Sequence, residues 1–188
     1  MLKTIRYYAG VGLHFIKMSV QSWMEYPLNL AAWLLANPIQ FLLGFATIKF
    51  VVEEFGTLNG WGFSQLAFLY GLAVLSHGLS IILFIQTWYI GWSILEGAFD
   101  RFLLRPLNVL FQFLFMDFNL IGLTDLLPGL VIFIYGCVKV QFQWSLYNTL
   151  AMLGVLAGAT LIRGALYMVT GSTAFWTRST SNFAEVNT

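Results

Sequence analysis

The sequence predicts an all-α integral membrane protein with about four transmembrane helices. An interfacial amphipathic helix precedes them, and a short polar helix interrupts them on the cytoplasmic side. Three observations carry this prediction. Only 9% of the 188 residues are charged and 59% are hydrophobic, against roughly 25% charged in a soluble domain, so most of the surface must face lipid. Long uncharged runs recur along the chain. The seven Trp, eight Tyr and eighteen Phe suit the aromatic belts of a bilayer interface.

Residues 1–25 have helical period. Lys3, Arg6, Gly10, His14, Lys17 and Gln21 share one face, and Ile5, Tyr8, Gly12, Phe15, Ser19 and Trp23 share another, weakly apolar one. Such a helix lies in the membrane interface or packs, water-exposed, on another domain; the span that follows directly favours the interface. Its apolar run is short and broken by His14 and Lys17, so it is expected to be retained rather than cleaved as a signal peptide.

The first span is expected over 28–50, since no charge occurs from Tyr26 to Ile48. At about 1.5 Å per residue this crosses roughly 30 Å of hydrocarbon. Asn37-Pro38 should kink it. After a loop over 51–63, the second span is placed at 64–86, with Trp88, Tyr89 and Trp92 at the interface. Residues 93–108 alternate charges with large apolar side chains, and Pro106 limits the helix they form. The third span is expected over 109–136, carrying Asp117, Asp125 and Pro128, and the fourth over 144–172. The bundle thus occupies 26–176, followed by a polar tail over 177–188.

Basic residues orient the bundle. With a cytoplasmic N-terminus, Lys3, Arg6, Lys17, Arg101, Arg105 and Arg178 lie inside, against Lys139 and the boundary residue Lys49 outside; both ends are then cytoplasmic. A net charge of +1 with dispersed Lys and Arg gives nucleic acid nothing to bind. Cys137 has no partner for a disulfide or a Cys-based zinc site. No cofactor, metal or catalytic site is expected. Ser76 and His77 are neighbours whose side chains diverge by about 100° on a helix, without a third orienting group.

Three residues form a possible intramembrane polar site. His77 reads as a polar core residue bonded to a neighbouring helix. Asp117 and Asp125, eight residues apart, point about 80° from each other on one continuous helix. Carboxylates within spans suggest either a structural role or a proton pathway, and Asp125 lies deeper. Gly154 and Gly158 make a small-xxx-small face that suits ordinary close packing. The segment Glu96–Pro106 is suited to passing force to a soluble motor, or it is a plain connecting loop.

The stretch GAFDRFLLRPLNVLFQ (97–112) resembles the signature of ABC type-2 (ABC-2 family) transporter permeases, with FIKMSVQSWMEYPLNLAAWLL (15–35), GWGFSQLAFLYGL (60–72) and GSTAFWTRS (171–179) in matching order. The resemblance implies an export permease of the bacterial inner membrane, with an N-terminal elbow helix and a cytoplasmic coupling helix that docks a separate ATP-binding-cassette ATPase. A second permease half, identical or not, would complete the pathway. Gly97, Asp100, Leu104, Arg105 and Pro106 match the pattern, and with Glu96, Phe99 and Arg101 they make up the expected coupling surface. No phosphate-binding P-loop occurs, as expected if ATP hydrolysis resides in another chain. Family permeases ordinarily have about six spans, so a fragment, a shortened relative or a subunit completed by another chain is expected. The rival reading is a four-span membrane scaffold or assembly subunit that transports nothing.

Overall fold

The computed structural model describes residues 2–116 and 118–177. It is 84% helical, without β-strands among those residues. The helices are α1 (Leu2–Glu25), α2 (Pro27–Phe55), α3 (Phe63–Trp88), α4 (Ile90–Leu95), α5 (Asp100–Leu103), α6 (Val109–Met116), α7 (Ile121–Val140), α8 (Leu146–Ser172) and α9 (Ala174–Thr177). Four stretches are long and apolar enough to cross a membrane: Pro27–Phe55, Phe63–Leu95, Ile121–Val140 and Leu146–Thr177. The distribution of side chains is that of a lipid-solvated protein. The largest wholly buried side chains are polar, namely Gln112, Thr87, Asp125, Ser76 and Ser80, whereas Leu28, Leu146 and Tyr147 stand exposed.

Two compact units are present. One comprises 26–82 and 120–161. In it α2 runs unbroken through Pro38 and buries only Asn37 and Val52. Helices α3 and α7 pack with their backbones in contact. A Cβ on Gly71 would lie 2.5 Å from the backbone of Phe133, and one on Gly136 would lie 2.5 Å from that of Phe68. Gly78, Gly122 and Gly129 lie along the same seam. These glycines recur every seventh residue, 71 and 78 on α3 and 122, 129 and 136 on α7, a spacing that keeps them on one helix face. Leu72, Phe133 and Cys137 form the apolar core beside them. The buried hydroxyls of Ser76 and Ser80 donate to Ala73 O and His77 O of their own helix, so neither is left unpaired.

The other unit comprises the N-terminal helix, 83–119 and the chain from 162. Helix α1 turns Tyr8, Gly12, Phe15, Ser19 and Trp23 inward and exposes Gly10, His14, Lys17 and Gln21. Tyr8 meets Phe111 of α6 edge-on, and Gly12 lies against Phe111 and Phe115.

The structure corrects three expectations. The third span is not one helix over 109–136. It breaks between α6 and α7, and the Phe118 N–H at the break donates to Ser19 Oγ of α1 at 2.8 Å. The 80° angle between Asp117 and Asp125 assumed a continuous helix and so does not apply; Asp117 itself, like Arg178, lies outside the described residues. Residues 93–108 are likewise not a single helix. Gly97, at φ +69°, ends the helical path after α4, and α5 lasts one turn before Pro106. Finally, a Cβ at Gly154 or Gly158 would meet nothing within 4 Å, so close helix approach occurs at the seven-residue glycines instead.

Gly136→Val should therefore lower the thermal unfolding temperature of the detergent-solubilised protein markedly, because the added atoms meet backbone that cannot yield. Gly154→Val should leave it within the small range of surface changes. Equal effects would show that the α3–α7 seam does not hold the bundle.

Candidate functional site

Two groups of side chains stand out, one in each unit. The first is the turn region between α4 and α6. After α4, the Phe99 N–H donates to Ser93 O at 3.0 Å, folding the chain back through Glu96 and Gly97. Asp100 opens α5, where a carboxylate suits the positive end of the helix dipole. Beyond Pro106, Asn108 Oδ1 accepts from the Phe111 N–H at 3.1 Å and so caps α6.

Of the eight residues expected at the coupling surface, Glu96, Gly97, Asp100, Arg101, Leu104, Arg105 and Pro106 are exposed. Leu104 is 85% exposed, and Leu103 beside it 59%. Phe99 differs: it is half-buried, packed on Phe113 at 5.8 Å and edge-on to Phe175 at 5.2 Å. It belongs to an apolar cluster beneath the turn, built on Ile90, Phe102 and Phe113. The rings of Phe102 and Phe113 are 4.5 Å apart. The segment thus presents leucines and arginines outward while its phenylalanines anchor it. Sequence reasoning missed Gln112, which is wholly buried and donates from Nε2 to Phe102 O and Leu107 O at 3.1 and 3.0 Å.

The second group lies where α2, α3 and α7 converge. Asn37 Nδ2 donates to Asp125 Oδ1 at 2.8 Å and to Thr124 Oγ1 at 2.9 Å. Thr124 in turn donates to Ile121 O at 2.7 Å. His77 Nε2 sits 3.8 Å from Asp125 Oδ2, a distance at which a protonated imidazole pairs with a carboxylate. The His77 ring also meets Phe41 edge-on at 5.8 Å. Asp125 is 1% exposed, whereas the His77 side chain is 29% exposed. Asn37 and Thr124 were not foreseen as partners, because Asn37 drew notice only as the residue before a proline.

Residues 34–188 match the family model described as ABC-2 family transporter protein. The chain belongs to the ABC-2 transporter family. The match takes in most of α2 and all of α3 to α9, including the turn region and the polar cluster. Neither a curated protein nor a solved structure was found to match. Membership makes this ABC-2 chain an integral membrane component of transport, and the family is not itself catalytic.

The amide of Asn37 gives one donor to the buried carboxyl of Asp125 in α7 and a second to the Thr124 hydroxyl beside it, and the first helps make a buried carboxyl tolerable there. Asn37→Leu should destabilise the protein by about 1–3 kcal/mol. Adding Asp125→Leu should recover part of that loss, because the orphaned acceptor is then gone. A double-mutant cycle on thermal unfolding checks this; strictly additive losses would mean the two side chains do not interact.

Proposed function

We propose that this ABC-2 chain is the permease subunit of an ATP-driven exporter and that the segment 93–108 docks a separate ATP-binding-cassette ATPase. The observation carrying this reading is the turn at Leu103–Arg105. Two leucines project into solvent between Arg101 and Arg105, while Phe99 and Phe102 hold the turn to the bundle. An exposed apolar pair rimmed by cations fits an apolar groove with acidic edges on a partner. Glu96, Gly97, Asp100 and Pro106 shape the approach to that pair. A second permease half, identical or different, completes the pathway at the interface between halves.

The distribution of Lys and Arg supports a cytoplasmic N-terminus and C-terminus, and the family resemblance implies a bacterial inner membrane. On this topology α1 is the elbow helix in the cytoplasmic interface, its exposed His14, Lys17 and Gln21 toward water. The polar cluster of Asn37, His77 and Asp125 serves to hold α2, α3 and α7 together, since the Asn37 amide bonds Asp125 and Thr124 across two helices and the His77 ring of a third lies beside the same carboxyl.

Two measurements test the reading. Arg105→Glu should weaken co-purification of the ATPase at least about tenfold without changing thermal unfolding, as reversal of an interfacial charge does; unchanged association removes the docking claim. A reporter active only outside the cytoplasm, fused after Thr188, should stay silent, and activity would invert the topology.

A further inference from the structure

Within the turn region, one buried side chain spans both ends of the exposed loop. Gln112 stands on α6, wholly buried. Its Nε2 donates to the carbonyl of Phe102, in α5, and to that of Leu107, just before α6. Leu103–Pro106 are thereby held as a closed loop whose two ends share one carboxamide. Its Oε1 has no hydrogen-bond partner among the described residues. A leucine or methionine would fill the same volume without burying an unpaired acceptor. Filling space therefore does not account for an amide here, whereas two N–H groups aimed at two carbonyls do. The orientation of the amide is itself settled by those neighbours, because both are acceptors.

The same helix carries the rest of the anchorage. Phe113 adjoins Gln112 and packs on Phe102 with the rings tilted by 38°, and Phe111 meets Tyr8 of α1. A load on Leu104 or Arg105 has two routes into α6, through the Gln112 hydrogen bonds and through the Phe102–Phe113 contact. The backbone adds two bonds, one from the Leu104 N–H to Asp100 O at 3.3 Å and one from the Leu107 N–H to Arg105 O at 2.8 Å, and neither reaches α6.

We infer that Gln112 is the positioning residue of the docking loop, a carboxamide latch that holds Leu103–Pro106 in the shape the ATPase recognises and joins that loop mechanically to α6. The inference rests on the proposed docking role of the segment, and its test separates the two.

The 188-residue chain with Cys137→Ala, which removes its sole cysteine, would carry Leu104→Cys bearing a nitroxide label. Gln112→Leu should raise the label's mobility while thermal unfolding of the bundle stays close to that of the parent. Gln112→Glu keeps the shape and makes the latch titratable. Its carboxylic acid donates one hydrogen bond at low pH, and its carboxylate donates none and faces two carbonyl oxygens at high pH. Mobility in this variant should therefore rise with pH, while the parent shows no such profile. A residue that only fills space would leave the label's mobility unchanged in Gln112→Leu, which keeps the volume and removes the donors. In unlabelled protein, Gln112→Leu should weaken association with the co-purifying ATPase about tenfold, the order lost with two hydrogen bonds.

Unchanged mobility in both variants overturns the latch. So does increased mobility with undiminished ATPase association, provided that Arg105→Glu still weakens it. If Arg105→Glu also has no effect, the docking surface itself falls, and the latch falls with it as a functional device.

Discussion

In hydrocarbon the hydrophobic effect gives a helix no reason to prefer another helix to lipid, so association must come from close packing and from hydrogen bonds. This chain uses both. Glycines every seventh residue bring the backbones of α3 and α7 together, and the attraction between them is dispersion over a long seam rather than exclusion of water. The Asn37–Asp125 hydrogen bond then ties α2 to α7 at one point. Without the seam there would be no fixed frame to set these polar groups within hydrogen-bonding reach.

The same economy explains why the interior is polar. Ser76, Ser80 and Thr87 are small enough to sit where helices meet and satisfy their hydroxyls on their own helix. Asp125 and Gln112 are larger and need partners from other segments, so each marks a place where separate stretches of chain are held in register. In the case of Asp125 the register is that of membrane spans. With Gln112 it is that of a loop outside them.

The segment 93–108 shows how a modest sequence pattern divides its labour. Alternating charged and large apolar residues suggested one short amphipathic helix. The chain instead makes a glycine turn, one helical turn and a closed loop. Gly97 allows the first reversal and Pro106 ends the second helical stretch. The consequence is a projection, with leucines at its tip, where a flat helix would have offered a side. Phe99 shows the other half of the division, since it lies in the matched signature yet faces inward to Phe113 and Phe175.

Composition and local period were enough to establish the membrane class, the number of apolar spans, the inward face of α1 and the place of the polar segment between spans, because neither is altered by folding. That α6 and α7 are separate helices was not legible there, since the break follows from where each packs and from a hydrogen bond to Ser19, ninety-nine residues away. Nor was it legible which glycines matter. The seven-residue spacing was present in the sequence, but Gly154 and Gly158 offered an equally good pattern, and a spacing does not say whether another helix lies opposite. Packing also chose the partners of Asp125, because Asn37 and His77 are distant in the chain and nothing local to any of the three encodes the others. Long-range pairing of polar groups is a property of the assembled bundle, and it enters only when the backbones have been brought within reach.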